Sequence, residues 1–157
     1  MEYKGFGLGC MSLSTVNQTE SSAVIHTALN EGITFFIFFD FYGSGESEIA
    51  LGEALKGYNR DKYYISVKFG ALTSPNGRLY GLDVHPDRIK NYLVHSLKRL
   101  KLDYIDLYQP CRIDLGIPVE ETIGAIAGLV KEGYIRHIGL SQVDVETIKR
   151  AQAVHKI

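Results

Sequence analysis

The feature that most constrains this chain is a helix-then-strand unit that recurs from end to end. Residues 18–32, QTESSAVIHTALNEG, read as a helix, with Thr19 at its N-cap, Ile25, Ala28 and Leu29 on one face, and Gly32 as its stop. The strand ITFFIFF follows at 33–39. ESEIALGEALKG (46–57) opens on acids and closes on Gly57, and KYYISVKFG (62–70) is the strand after it. HPDRIKNYLVHSLKRLK (85–101) places Pro86 near the first helical position and Ile89, Leu93, Leu97 and Leu100 on one stripe. DYIDLYQ, PVEETIGAIAGLVKEG, YIRHIGLS and DVETIKRAQAVH continue the alternation, and GFGLGCM (5–11) predicts a short strand ahead of it.

Strands that alternate with helices pair in parallel through right-handed crossovers. Strands apolar on both faces point the same way, because parallel sheets are covered by helices. The class is therefore α/β, expected as one domain over residues 1–157. Pattern alone leaves two architectures open, an open doubly wound sheet and part of a (β/α)8 TIM barrel.

Charge narrows the function. The chain carries 17 Lys and Arg against 18 Asp and Glu, for a net charge of -1. That balance argues against a nucleic-acid or anionic-membrane partner. No apolar run approaches the ~20 residues that span a bilayer. The first ten residues lack the apolar stretch of a secretion signal. Cys10 and Cys111 are far apart and fit no metal spacing, so the expectation is reduced thiols in a cytoplasmic protein. The histidines fall mostly in helices or at their starts and show no ligand spacing. Two glycine-rich turns could suggest a dinucleotide fold. GFGLGCM has no helix start at the right distance. GSGESE opens a helix, but Glu46 and Glu48 would repel a pyrophosphate there.

Two polar residues stand at C-terminal strand ends, where parallel α/β folds carry their chemistry: Tyr42 after FFIFF and Lys68 at the end of YYISVK. An ammonium near a phenol stabilises the phenolate and lowers its pKa from ~10. Such a tyrosine can protonate a carbonyl oxygen as that oxygen gains negative charge. The competing structural reading is an interfacial tyrosine and a snorkelling lysine.

The stretches GLGCM, FDFYGSGESE, ISVKFG, YIDLYQPCRID and VKEGYIRHIGLS, in this order and at these spacings, closely resemble the aldo-keto reductases. The resemblance runs over nearly the whole chain. It implies the N-terminal part of a (β/α)8 barrel, about five βα units, and reduction of a small carbonyl substrate with NADP(H). By the same resemblance Tyr42 matches the proton-donating tyrosine and Lys68 its partner lysine. Ser141 and Gln142 match the pair that binds the nicotinamide carboxamide, with Gln142 in place of the usual asparagine or glutamate. Gly9 and Met11 match the first loop, which approaches the nicotinamide ribose. Two family residues are replaced. Ile37 stands where the family has an aspartate. Cys111 stands where it has a histidine, as in a branch that reads Q-P-x-R and resembles pyridoxal reductases.

Physical expectations follow from these departures. Ile37 removes the carboxylate that would pair with Lys68. Asp40 does not replace it, because a residue three positions along a strand points to the other face. Five parallel strands cannot close a barrel, so two edges would stay unpaired and parts of FFIFF and YYISV would meet water. Self-association through those edges is expected. The functional alternatives are a reductase, complete or completed by a partner, and a non-catalytic interaction module.

Overall fold

In a computed structural model of the protein, residues 5–14 and 17–157 are described. In chain order the elements are β1 (Gly7–Gly9), α1 (Gln18–Asn30), β2 (Phe35–Phe39), α2 (Glu46–Ala54), β3 (Tyr64–Phe69), β4 (Ala71–Thr73), β5 (Leu79–Leu82), α3 (Pro86–Leu100), β6 (Ile105–Pro110), α4 (Val119–Lys131), β7 (Ile135–Ile138) and α5 (Val145–Val154). Five of the strands form one parallel sheet in the order β1-β2-β3-β6-β7. A helix follows each sheet strand, so the expected βα units are present. Among the described residues, β1 and β7 are the free edges of this sheet.

Local chemistry sets the helix starts. Asn17, not Thr19, caps α1, because its side chain accepts the Glu20 N–H at 2.9 Å. Thr19 lies inside the first turn. Asp144 caps α5 through the Thr147 N–H. His85 caps α3 just before Pro86, which takes the position where a missing N–H costs nothing.

The two faces of the sheet differ. Along β2, Phe36 and Phe38 have no solvent exposure, while Phe35, Ile37 and Phe39 are half-buried. The buried pair faces the helices, with Ile65 and Val67 of β3 and Leu51, Ile89 and Leu93 of α2 and α3 in one core. The half-buried set lines the open side, as expected for strands that lack a closing neighbour. At the strand starts, an open cavity of about 610 Å³ lies between Phe35, Leu107 and His137 and the segment His155–Ile157. That segment follows α5 and lies along the open side.

Sequence pattern missed the antiparallel hairpin β4–β5. Its signal is the SPNG turn, in which Gly77 takes φ +78 and donates to the Ser74 carbonyl. The hairpin stands at the C-terminal end of β3.

Candidate active site

Parallel register brings the strand ends together. Phe39 pairs with Lys68, and Lys68 with Gln109. Ile37, Ser66 and Leu107 form the layer below. Gln109 donates from Nε2 to Ser66 Oγ at 2.9 Å, which places a polar pair next to Ile37 on the open side. Gly139 leaves the room for it, since a Cβ there would lie 3.1 Å from Gln109 Oε1. Sequence reasoning did not single out Ser66 or Gln109. Their signal is a polar residue at an inward strand position, two before Lys68 and directly opposite it.

Lys68 Nζ donates to Ser141 Oγ at 3.2 Å, across 73 positions of sequence. The ammonium also lies 5.0 Å from the centre of the Phe39 ring. Among the described residues no carboxylate comes within ion-pair distance of it.

Tyr42 opens a tight turn, Tyr42–Gly45, between β2 and α2, in which Gly43 and Ser44 take left-handed angles (φ 55 and 54). Its ring packs on Phe39 at 5.1 Å and on Phe41 at 5.2 Å. Burial, with a smaller contribution from the Cys10 thiol, raises its pKa above the ordinary 10. The expected lowering by Lys68 is not seen, and no hydrogen bond joins the two among the described residues. Tyr42 therefore keeps its proton near neutral pH and gains little help in giving it up.

The remaining candidates are split between the sheet edges. Gly9 ends β1, and Met11 is exposed in the turn after it. Cys10 anchors this end, with its N–H on the Ile37 carbonyl and its carbonyl accepting from Ser47 Oγ. Ser141 is buried beyond β7, while Gln142 is exposed with φ +54. Ser141 and Lys68 are thus brought into contact, whereas Gly9 and Met11 stand at the opposite edge. A smaller cavity of about 340 Å³ opens beside Phe39, between Phe41, Ala71, Leu79, Cys111 and Arg112. Cys111 is buried and its thiol pKa is raised, mainly by burial, so it is a poor substitute for an imidazole proton donor.

One acid of GSGESE has a structural role. Glu48 is fully buried and accepts from Arg99 Nε at 2.5 Å. Gly45 beside it takes φ +97, which favours glycine, and a Cβ there would also lie 2.5 Å from Arg99 Cδ. Among the described residues no cluster of side chains could hold a metal ion, and no helix is long and apolar enough to cross a membrane.

The sequence profile of the aldo/keto reductase family matches residues 6–157. The chain belongs to this family. It is 38% identical to a probable aldo-keto reductase of Glycine max over 99% of this chain and 46% of that protein. The holo structure of an aldo-keto reductase from Bacillus halodurans superposes with a TM-score of 0.86 at 34% identity, over 96% of this chain and 50% of the other. A Klebsiella pneumoniae aldo-keto reductase in complex with NADPH gives 0.77 at 27% identity, over 92% and 47%. The aldo-keto reductase homologue described here thus spans about half the length of the relatives it matches. Its parallel sheet of βα units corresponds to the N-terminal half of their TIM barrel.

Proposed function

We propose that this chain carries the proton-transfer side of an NADPH-dependent carbonyl reductase site and does not turn over as a separate 157-residue polypeptide. The observation that carries the reading is the contact of Lys68 with Ser141 beside the Tyr42–Phe39–Phe41 cluster, at the C-terminal edge of a parallel sheet. When bound, the cofactor supplies a hydride. The residues present fit its nicotinamide end only. Ser141 and Gln142 offer a hydroxyl and an amide for the carboxamide, and Gly9 leaves open space above β1 for a sugar. The start of α2, with Glu46 and with Arg99 already held by Glu48, offers no seat for its pyrophosphate.

In this reading Tyr42 Oη gives its proton to the carbonyl oxygen of a small aldehyde or ketone. Lys68 holds its charge toward the resulting phenolate, and the aromatic cluster excludes water. Ile37 weakens the step, since no carboxylate orients the ammonium. The half-buried inner layer and the two free edges support self-association as the way a lone chain covers itself.

The test uses the chain alone and a chimera that appends the C-terminal half of the Bacillus relative. We expect no NADPH fluorescence enhancement at micromolar cofactor from the chain alone. The chimera should show aldehyde reduction that Tyr42→Phe abolishes and Ile37→Asp raises by roughly 10²–10⁴-fold, the usual worth of general-acid help. Tyr42-dependent turnover by the chain alone, or a chimera indifferent to Tyr42, would overturn the reading. Light scattering should find oligomers at high micromolar concentration, and a well-behaved monomer there would refute self-association.

A further inference from the structure

Asp40 lies between the two candidate residues yet has no role in the reading above. It is 8% exposed and shares the helix-facing side of β2 with Phe36 and Phe38, away from Ile37. Its backbone N–H donates to the Lys68 carbonyl at 2.9 Å. Its Oδ2 accepts the Gly70 N–H at 3.2 Å. Arg99 Nη2 reaches its carbonyl oxygen at 3.5 Å. One residue thus ties the end of β2, two positions before Tyr42, to the end of β3 and to the root of the β4–β5 hairpin.

The root has little slack. Gly70 takes φ +95, and a Cβ there would lie 2.7 Å from the Asp83 carbonyl oxygen. Its carbonyl accepts the Asp83 N–H at 2.8 Å, so the Asp40 carboxyl holds the other polar group of the same peptide residue. The hairpin beyond it supplies Ala71 and Leu79 to the cavity beside Phe39.

We propose that Asp40 is a proton-sensitive positioning residue, which holds the hairpin root against the Tyr42 and Lys68 strand ends when protonated and loosens it when ionised. The neutral acid still accepts the Gly70 N–H, whereas a buried carboxylate with one oxygen unpartnered is drawn toward water. The charges around it decide where the proton goes. Glu48 of α2, Arg99 and Tyr92 of α3, Tyr108 of β6 and Cys111 beyond it all face Asp40. One guanidinium serves two carboxylates, and its Nε bond goes to Glu48. Asp40 meets only the more distant Nη2, through its backbone, and its Oδ1 is buried without a partner. Tyr92, Tyr108 and Cys111 are all raised, chiefly by burial, and stay protonated near neutral pH. Burial and the Glu48 charge bring Asp40 to about 7, which places the change near neutrality.

This inference deepens the reductase reading, but its test does not use activity, so the two can fail separately. The amide resonance of Gly70 and the carbonyl resonance of Lys68 should titrate together in the intact chain, with a midpoint near 7. Asp40→Asn, which keeps an oxygen for Gly70 but cannot ionise, should flatten both curves. His85→Asn, which keeps a cap on α3 and removes the imidazole just after the hairpin, should leave both in place. Flat resonances between about pH 5 and 9 in the natural chain would overturn the proposal. So would a titration that persists in Asp40→Asn, or one that disappears in His85→Asn. Should Asp40→Asn fail to fold, the natural chain and His85→Asn still decide.

Discussion

The two faces of strand β2 are built from almost the same residues and live in different conditions. Phe36 and Phe38 are sealed under helices, while Phe35, Ile37 and Phe39 look into the open side of the sheet. The helix-facing layer is complete within the chain. The inner layer requires neighbours that the five strands do not supply. Hydrophobic composition is therefore a poor guide to local stability here, since what counts is the area removed from water.

That contrast can be broken by mutation. Phe38→Ala should cost about 3–5 kcal/mol in urea unfolding, as expected for emptying a sealed aromatic site. Ile37→Ala, one position along and on the open side, should cost less than about half as much. Equal costs would mean that the inner face is as well covered in solution as the outer one.

A smaller effect tests the polar part of the outer layer. Glu48→Gln leaves the Arg99 guanidinium without its carboxylate, and we expect a loss of about 3 kcal/mol, read from the unfolding midpoint. A loss below about 0.5 kcal/mol would show that this pair behaves like an exposed one. No comparable pair exists on the open side among the described residues, where Lys68 rests on a serine.

The helix-facing layer should also show a dependence on pH. Burial raises Asp40 from its ordinary 3.8 to about 7. The folded chain therefore holds this proton more tightly than the unfolded chain. The stability it contributes is fully present below 3.8 and is lost as the pH rises through about 7. Asp40→Asn should remove that slope from unfolding curves taken between about pH 4 and 8. An unchanged slope would assign it to another group.

Much of the fold was legible because helix and strand periods are local. Gly57 and Pro86 punctuate the chain where the structure places its breaks, and the apolar run at 33–39 read correctly as a strand, although helices cover only one of its faces. Thr19 failed as a cap because two side chains near the helix start can accept an N–H, and only the backbone angles at Asn17 decide between them. The hairpin was missed because LYGL does not alternate cleanly. At the candidate site, Tyr42 and Lys68 were singled out from their place at strand ends. The partner of Lys68 was not, since Ser141 comes to it only through the register of β3, β6 and β7.

The order of residues alone settled the alternation of helix and strand, the parallel pairing and the family, because each rests on short-range periodicity and spaced motifs. Three-dimensional packing settled the rest. It brought the Ser141 hydroxyl to Lys68, turned Glu48 inward onto Arg99, and set Asp40 across the joint of two strands. These contacts join residues 30 to 73 positions apart. At such separations the proximity of two groups depends on how the whole sheet twists and stacks under its helices.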